Sequence, residues 1–429
     1  MTEIKVKVTG RLRGRIRVPG DKSISHRAIM LSSLAKGTTE ISGISNGQDC
    51  IKTAQAFQKM GIKMEGLGTQ DLVIHGRGLS GLAKPREILD VGNSGTTMRL
   101  LTGILAGQNF SSSITGDKYL RTRPMGRIIE PLSRMGARIS GRKGNLAPLE
   151  IAGQALSAIS YHSSIPSAQV KSSIFLASLY APGQTRVSEP VKSRDHTERM
   201  LKYLGADIQM DDLKVAIQGR KELVARKIRV PGDISSATFF IGAALVIPGS
   251  DITISDVGIN PARMGAVKVL RDMGAQIEVK NPREANLEPY GDIWVRASKL
   301  RSINIGGDIV PSLIDEIPVL AVVATQASRK TTIRDARELR VKETDRIKAL
   351  VTNLAKMGAE IEELNDGIVI NGPRRLRGAE VSSFWDHRIA MAMVVAGLIA
   401  EGETTVLNTE CINTSFPEFM ETLNQLTAS

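Results

Sequence analysis

The segment Met273-Gly274-Ala275-Gln276-Ile277 ends an amphipathic helix and starts a strand, and the chain repeats this signature. Apolar residues recur with a helical period from Ala266 to Met273. The glycine supplies the left-handed conformation that ends a helix, and the residues after it alternate as in a strand. The signature starts at five positions, Met60, Met135, Leu204, Met273 and Met357. The same helix-to-strand connection is therefore predicted at each.

A second repeated element lies between these signatures. It is a helix rich in Ala, Leu and Ile, then a turn, then a strand rich in Thr, Ile and Val. Its six copies, roughly 70 residues apart and so longer than a solenoid repeat, are 27–41, 96–114, 172–187, 235–254, 313–333 and 389–406. Each copy and its neighbouring signature predict a small βαβαββ unit. The sixth unit lacks a glycine signature, and we expect a helix over 416–426 and a strand over 4–8 to complete it.

The motif Arg17-Val18-Pro19-Gly20-Asp21 recurs as Arg229-Val230-Pro231-Gly232-Asp233 and indicates where the chain changes domain. Three repeat units lie between the two copies, and three lie outside them. The simplest division is an inserted domain over 21–229 and a discontinuous domain over 1–20 plus 230–429, which carries both termini. We expect a substrate site in the cleft between the domains. A single continuous α/β array is the alternative.

Composition narrows the class of partner. The formal net charge is +13, which is typical of nucleic-acid-binding proteins, but aromatic residues are only 3% and offer few platforms for base stacking. The Lys and Arg residues are also scattered, which favours small anionic substrates. The sequence has no apolar leader at its start and no apolar run of membrane-spanning length, so we expect a cytoplasmic protein. Cys50 and Cys411 are interpreted as structural thiols.

Gly20-Asp21-Lys22-Ser23-Ile24-Ser25-His26-Arg27 is the most informative local motif. It combines a helix start, whose backbone N–H groups favour anions, with an ammonium, a guanidinium and two hydroxyls. It predicts a pocket for a phosphorylated or carboxylated molecule. A solvent-exposed, Ser-capped helix start is the alternative.

Most other repeat units also begin a helix with polar or cationic side chains. A structural cap or a solvated turn is an equal alternative for each motif alone. In Arg123-Pro124, the proline suits the first position of a helix that runs to Met135. Lys342 and Arg346 are four residues apart, which places them on one helix face. The remaining motifs are 92–99, 163–173, 193–199, 313–318 and 386–391.

Together these helix starts favour a site for multiply charged anions. Asp315 and Glu343 are candidates for proton transfer within such a site. The sequence contains no Walker motif, no G-x-G-x-x-G after a strand and no H-E-x-x-H, so neither a nucleotide cofactor nor a metal is predicted.

Jointly and in order, the motifs at 20–27, 92–99, 123–124, 167–169, 342–346 and 386–391 resemble those of the 5-enolpyruvylshikimate-3-phosphate synthase family of enolpyruvyl transferases. The resemblance implies a two-domain, inverse α/β barrel-like fold with three βαβαββ units per domain. It implies transfer of the enolpyruvyl group of phosphoenolpyruvate to the 5-hydroxyl of shikimate 3-phosphate, with loss of phosphate by C–O cleavage. This step belongs to the shikimate pathway, which leads to chorismate and the aromatic amino acids.

The resemblance also implies residue roles. Asp315, Glu343 and Lys22 would be catalytic, with Asp315 the base toward the 5-hydroxyl. The shikimate 3-phosphate site would comprise Lys22, Ser23, Arg27, Ser167, Gln169, Arg194, Asp315 and Lys342. The phosphoenolpyruvate site would comprise Lys22, Gly95, Arg123, Gln169, Arg346 and Arg388. No metal or cofactor is implied, and we expect a monomer with no nucleic-acid or membrane partner.

Two positions refine the resemblance. Gly95 resembles the small residue that leaves room for the inhibitor glyphosate, so we expect inhibition. Thr414 stands where many members have Lys, which removes a cation from the phosphoenolpyruvate site. The related transferase that uses UDP-N-acetylglucosamine is the closest rival. It places a Cys or Asp on the loop before its Arg-Pro-type helix, where this chain has only Asp117.

Overall fold

The chain forms a mixed α/β structure in a computed structural model that describes residues 2–427. Within that range the α-helices are α1 Lys22–Leu34, α2 Gln48–Lys59, α3 Gly95–Ala106, α4 Gly126–Arg134, α5 Ala168–Ser178, α6 His196–Tyr203, α7 Ile234–Val246, α8 Gly265–Asp272, α9 Ile317–Ala324, α10 Arg346–Lys356, α11 His387–Gly397 and α12 Phe419–Thr427.

The strands alternate with these helices along the chain. They are β1 Glu3–Lys7, β2 Arg13–Arg17, β3 Ala35–Ser42, β4 Lys63–Glu65, β5 Asp71–Arg77, β6 Leu89–Asp90, β7 Ser111–Thr115, β8 Arg138–Arg142, β9 Leu146–Ala152, β10 Ser160–His162, β11 Gln184–Ser188, β12 Ile208–Asp211, β13 Lys214–Gln218, β14 Leu223–Val224, β15 Ile228–Arg229, β16 Asp251–Gly258, β17 Gln276–Ala285, β18 Glu288–Arg296, β19 Asn304–Ile305, β20 Arg329–Ile333, β21 Glu360–Leu364, β22 Gly367–Gly372, β23 Glu380–Ser382 and β24 Glu403–Leu407.

The strands form six small sheets among the described residues, and the four sheets with four strands share one pattern. In the sheet β6-β7-β9-β8, β6 pairs in parallel with β7, and the other two pairs are antiparallel. The sheets β10-β11-β13-β12 and β19-β20-β22-β21 repeat this order. Since helices connect the first three strands of each set, these are βαβαββ units, as predicted.

The strand that precedes each Pro-Gly motif pairs with the strand that follows the other motif's helix. β2, which precedes α1, pairs in parallel with β16, beyond α7. β15, which precedes α7, pairs in parallel with β3, beyond α1. Each strand therefore ends before a Pro-Gly pair, and the helix that follows belongs to a different sheet's unit.

Contacts divide the chain into two compact units with separate hydrophobic cores. Unit 1 contains the residues up to Pro19, Pro231–Glu284 and the residues from Pro289 onward. Unit 2 contains Gly20–Val230 and the short segment Ala285–Glu288. Among residues 2–427, no helix has both the length and the apolar character needed to cross a membrane.

The helix ends follow the glycine signature. Gly61, Gly136, Gly205, Gly274 and Gly358 each have a positive φ directly after a helix, between 86° and 96°. A side chain at such a position would be strained, which explains why the repeat requires glycine there.

The N-terminal strand completes the sixth sheet. β1 pairs antiparallel with β24, and β23 lies on the other side of β24. The C-terminal helix begins at Phe419 rather than at Phe416. Phe416 still belongs to a turn that follows a 3₁₀ helix, because its N–H donates to the carbonyl of Ile412, and Pro417 follows it directly.

Candidate active site

Lys22 begins α1 in unit 2, directly after a capping aspartate. Asp21 accepts a hydrogen bond from the backbone N–H of Ile24 at 2.9 Å, which fixes the helix start. The Lys22 ammonium lies 2.5 Å from Oδ2 of Asp49, and its side chain is 17% exposed. The motif thus places an ammonium at a helix N-terminus, where backbone N–H groups also favour anions.

Arg27 is a second cation, one turn further along α1. Its Nε donates to Oγ1 of Thr197 at 2.6 Å, and its Nη2 donates to Oγ of Ser172 at 2.9 Å. Its Nη1 donates to the carbonyl of Ser23 at 2.8 Å. Burial lowers the pKa of Arg27 to about 10, so the guanidinium is charged at neutral pH.

His26 has a structural place in the same motif. It is buried, and its Nδ1 lies 2.7 Å from Oγ1 of Thr53. Burial, with the charges of Lys22 and Arg27, holds the pKa of His26 well below its usual value. The ring is therefore neutral at physiological pH.

The N-terminus of α3 brings Gly95 beside two arginines. Arg123 donates from Nη2 to Oδ1 of Asn93 at 2.6 Å, and the Asn93 amide in turn donates to Oδ2 of Asp117 at 2.7 Å. Arg99 donates from Nη1 to Oε1 of Gln169 at 2.7 Å. The guanidinium of Arg123 and the amide of Gln169 are therefore each held by a hydrogen bond.

Ser167 and Arg194 lie at the starts of two further helices of unit 2. Ser167 caps α5, with its hydroxyl accepting from the N–H of Val170 at 3.4 Å. Arg194 is half-buried before α6 and close enough to Arg27 to lower the pKa of that residue. α5 and α6 are joined by buried Lys171, whose Nζ lies 2.5 Å from Glu189 and 2.7 Å from Glu198.

Arg346 organises a second cluster, in unit 1. Its Nε contacts Asp386 at 2.7 Å, its Nη2 contacts Glu343 at 2.7 Å, and its Nη1 contacts Asp315 at 3.2 Å. The side chain is 1% exposed. Burial lowers the pKa of this guanidinium, but the three carboxylates more than offset that effect and raise it above its usual value.

Three cations surround the carboxylate of Asp315. Besides Arg346, the ammonium of Lys342 lies 3.9 Å from Oδ1, and Nη2 of Arg388 lies 3.9 Å from Oδ2. Nη1 of Arg388 donates to the backbone carbonyl of Asp315 at 3.0 Å. Burial lowers the pKa of Lys342. Both candidate proton-transfer groups, Asp315 and Glu343, thus share Arg346 as a partner.

Two local predictions are wrong. α4 begins at Gly126, and Pro124 is not its first residue, because residues 120–122 form a separate 3₁₀ turn and Arg123 is extended. Lys342 does not share a face of α10 with Arg346. It caps a preceding 3₁₀ helix that ends at Val341, and α10 begins only at Arg346.

Several supporting residues were not predicted. Thr197, Ser172 and Asn93 orient Arg27 and Arg123, and Asp386 both caps α11 and holds Arg346. All four lie within or directly beside motifs that were singled out for their polar character. Their polar character is visible in the sequence, but their partners are not. For Arg27, the two hydrogen-bond partners are 145 and 170 residues away, and a sequence does not reveal such pairs.

The remaining candidate positions have plain structural roles. Thr414 lies at the end of a 3₁₀ helix and donates to the carbonyl of Cys411 at 2.7 Å. Burial raises the pKa of Cys50 and of Cys411 to about 12, so both remain thiols. In the part of the chain that the structure describes, no group of His, Cys, Asp or Glu side chains is arranged to hold a metal ion.

The chain is similar to known proteins over its whole length. A family model described as EPSP synthase (3-phosphoshikimate 1-carboxyvinyltransferase) matches residues 6–423. A 3-phosphoshikimate 1-carboxyvinyltransferase of Geotalea uraniireducens is 55% identical over 427 residues, which cover 99% of both chains. One from Geobacter metallireducens is 53% identical over 429 residues, which cover 100% of both.

Solved structures agree with these relatives. An EPSP synthase from Acinetobacter baumannii has a TM-score of 0.89 and 44% identity, covering 100% of this chain and 98% of that one. The predicted α/β fold and the predicted family of transferases are confirmed. The chain belongs to the EPSP synthase (3-phosphoshikimate 1-carboxyvinyltransferase) family.

Proposed function

We propose that this chain transfers the enolpyruvyl group of phosphoenolpyruvate to the 5-hydroxyl of shikimate 3-phosphate and releases phosphate. The observation that carries the proposal is the cluster in unit 1, where Asp315 and Glu343 share Arg346 and are flanked by Lys342 and Arg388. Two carboxylates can move protons, while the cations bind anionic groups of the substrates.

For shikimate 3-phosphate we propose the following contacts. In unit 2 the proposed contacts are the cations of Lys22, Arg27 and Arg194 with the polar groups of Ser23, Ser167 and Gln169. In unit 1 they are Lys342 and Asp315. The fixed guanidinium of Arg27 supports this assignment, because its three hydrogen bonds leave little conformational freedom to lose on binding.

Phosphoenolpyruvate carries a phosphate and a carboxylate, and arginine forks suit both. We assign to it Arg123, Arg346 and Arg388, together with Lys22, Gly95 and Gln169. Asn93 orients Arg123, and Asp386 orients Arg346, so these two forks are each oriented by a neighbouring side chain.

The proposed reaction has two stages. Asp315 removes the proton of the 5-hydroxyl as its oxygen bonds to the second carbon of phosphoenolpyruvate, while Glu343, assisted by Lys22, supplies a proton to the methylene carbon. The resulting tetrahedral adduct then loses phosphate by cleavage of the C–O bond. Glu343 takes a proton back from the methyl group as the C–O bond breaks, which restores the carbon–carbon double bond.

The rival acceptor is UDP-N-acetylglucosamine. An enzyme that uses this acceptor would need Asp117 as a reactive group, but both carboxylate oxygens of Asp117 accept hydrogen bonds in the structure. Oδ1 accepts from the N–H groups of Tyr119 and Leu120, and Oδ2 accepts from Asn93. This carboxylate caps a turn, which favours shikimate 3-phosphate as the acceptor.

Phosphate release from phosphoenolpyruvate, measured with each acceptor in parallel, tests the proposal. We expect release with shikimate 3-phosphate alone. Release with UDP-N-acetylglucosamine alone, or with neither acceptor, would contradict it. We further propose that the enzyme acts as a monomer in the cytoplasm without a metal or cofactor.

Replacing Gly95 with Ala should weaken phosphoenolpyruvate binding and inhibition by glyphosate together. The new Cβ would lie 2.9 Å from Nη1 of Arg99 and 3.3 Å from Nη1 of Arg123. Both guanidiniums are held in place, so we expect the KM for phosphoenolpyruvate to rise about tenfold, the discrimination that one methyl group can give. Steady-state kinetics with and without glyphosate measure both effects.

Gly10→Ala is the matched control, because a Cβ there meets no described atom within 4 Å. It should change neither value. A wild-type inhibition curve that stays flat into the millimolar range would contradict the expected sensitivity to glyphosate. A G95A variant with unchanged KM would contradict the placement of phosphoenolpyruvate.

Lys342 gives the enzyme an expected pH dependence. Burial lowers the pKa of this ammonium, so its positive charge is lost as pH rises through a value below the usual ~10.4. The KM for shikimate 3-phosphate should therefore rise on the alkaline side, earlier than an ordinary lysine would allow. Lys342→Arg keeps the charge and should remove this rise. An identical alkaline rise in the arginine variant would show that another group is responsible.

A further inference from the structure

The second copy of the repeated motif, Arg229–Asp233, contains none of the residues proposed to bind substrate. Its Asp233 caps α7 by accepting from the N–H of Ser235 at 2.8 Å, much as Asp21 caps α1. The first copy leads into Lys22 and Ser23, while the second leads into Ile234 and Ser235. The second copy therefore leads into residues that are not proposed to bind substrate.

Asp233 and Ser235 take part in a buried polar network in unit 1. Nη2 of Arg263 donates to Oγ of Ser235 at 2.6 Å and lies 3.4 Å from Oδ1 of Asp233 and 3.8 Å from Oε1 of Glu316. The Ser235 hydroxyl donates to the same oxygen of Glu316. All four residues are more than nine-tenths buried. Charges at such depth are stable only when they are paired.

Glu316 connects this network to the proposed phosphoenolpyruvate site. Its Oε1 lies 3.8 Å from Nη1 of Arg388, the nitrogen that donates to the Asp315 carbonyl. Its Oε2 is buried and accepts no hydrogen bond from the described residues. One carboxylate thus lies between two guanidiniums, those of Arg263 and Arg388, and it directly follows Asp315 in the chain.

We propose that Glu316 is a positioning residue that holds Arg388 in place for phosphoenolpyruvate. This inference rests on the proposed function. The guanidinium of Arg388 is on a long side chain with many rotamers, and ordering it costs conformational entropy. The shared carboxylate attracts it to one position and offsets the repulsion between Arg388 and Arg263. Ser235, two residues after the second motif, and Arg263 in turn fix the carboxylate.

Glu316→Gln tests this inference, because it keeps the size and the acceptor for Ser235 but removes the charge. We expect the KM for phosphoenolpyruvate to rise about thirtyfold, which is the low end of the cost of removing one partner of a buried charged pair. The KM for shikimate 3-phosphate should change less than about twofold, which a general loss of folding would not produce.

Asp233→Asn is the matched control. It also removes one carboxylate beside Arg263, and asparagine still caps a helix, but it leaves the partner of Arg388 in place. We expect a lower melting temperature with an unchanged KM for phosphoenolpyruvate. Ser235→Ala keeps the charge of Glu316 but removes a hydrogen bond that fixes its carboxylate. This variant should raise the KM for phosphoenolpyruvate to a smaller extent than E316Q does. It replaces E316Q in the test if E316Q does not fold.

The outcomes separate the two proposals. If the unaltered enzyme releases no phosphate with shikimate 3-phosphate, the proposed function fails. If it turns over normally but E316Q raises both KM values equally, or E316Q and D233N shift the KM for phosphoenolpyruvate alike, the role of Glu316 is wrong. Should only S235A fold, an unchanged KM for phosphoenolpyruvate would equally overturn that role.

Discussion

Replacing Lys22 with Met should lower kcat by at least about a thousandfold, since the ammonium is proposed both to bind the two substrates and to assist proton transfer. Methionine has a similar length and favours a helix, so α1 should remain intact. The loss follows from removing the one cation that is assigned to both substrate sites. Steady-state phosphate release at saturating substrates measures it.

The matched control is Lys59→Met on α2. Lys59 is exposed and lies 3.3 Å from Glu87, a surface pair of the kind that contributes little. Its kcat should equal that of the unaltered enzyme. Because K22M also leaves the carboxylate of Asp49 without its ammonium, thermal unfolding of both variants is needed. A K22M variant that is folded and retains full kcat would contradict the assignment.

Replacing Arg346 with Met should have the largest effect on stability and should also abolish turnover. Asp315, Glu343 and Asp386 would lose the guanidinium that they share, at a position that is 1% exposed. Removing one partner of a buried ion pair costs about 3–5 kcal/mol, because the remaining charge stays desolvated. We expect a loss of that order in the free energy of unfolding of unit 1.

Tryptophan fluorescence during urea denaturation measures this loss in the relevant unit, because both tryptophans, Trp294 and Trp385, belong to unit 1. Arg296→Met is the control. Arg296 is 56% exposed beside Asp251, so its removal should cost less than about 1 kcal/mol. Equal shifts of the urea midpoint for the two variants would show that the buried cluster does not stabilise the unit.

The fold could be predicted where its determinants are local. A glycine after an apolar helix requires only the left-handed conformation of one residue, and Gly61, Gly136 and Gly358 all adopt it. The exchange of β2 and β15 between sheets could not be predicted in detail. Strand pairing joins residues more than 180 positions apart in both cases, and the sequence shows only that two similar Pro-Gly motifs exist.

In the candidate site, too, local features could be predicted from the sequence and contacts between distant residues could not. Helix starts such as those of Lys22 and Asp386 follow from capping residues beside apolar runs. The prediction for Lys342 is wrong because a spacing of four residues implies a shared face only within one helix, whereas Lys342 caps a 3₁₀ helix that ends at Val341. Partners such as Thr197 for Arg27, and Glu316 for Arg388, depend on packing between distant helices.

The proposed reaction transfers the enolpyruvyl group with cleavage of the C–O bond of phosphoenolpyruvate. The most direct test uses phosphoenolpyruvate labelled with heavy oxygen at the bridging position, with shikimate 3-phosphate as acceptor and mass spectrometry of both products. We expect the label to appear in the released phosphate and the acceptor to gain one enolpyruvyl group at its 5-hydroxyl. Unlabelled phosphate together with free pyruvate would contradict it.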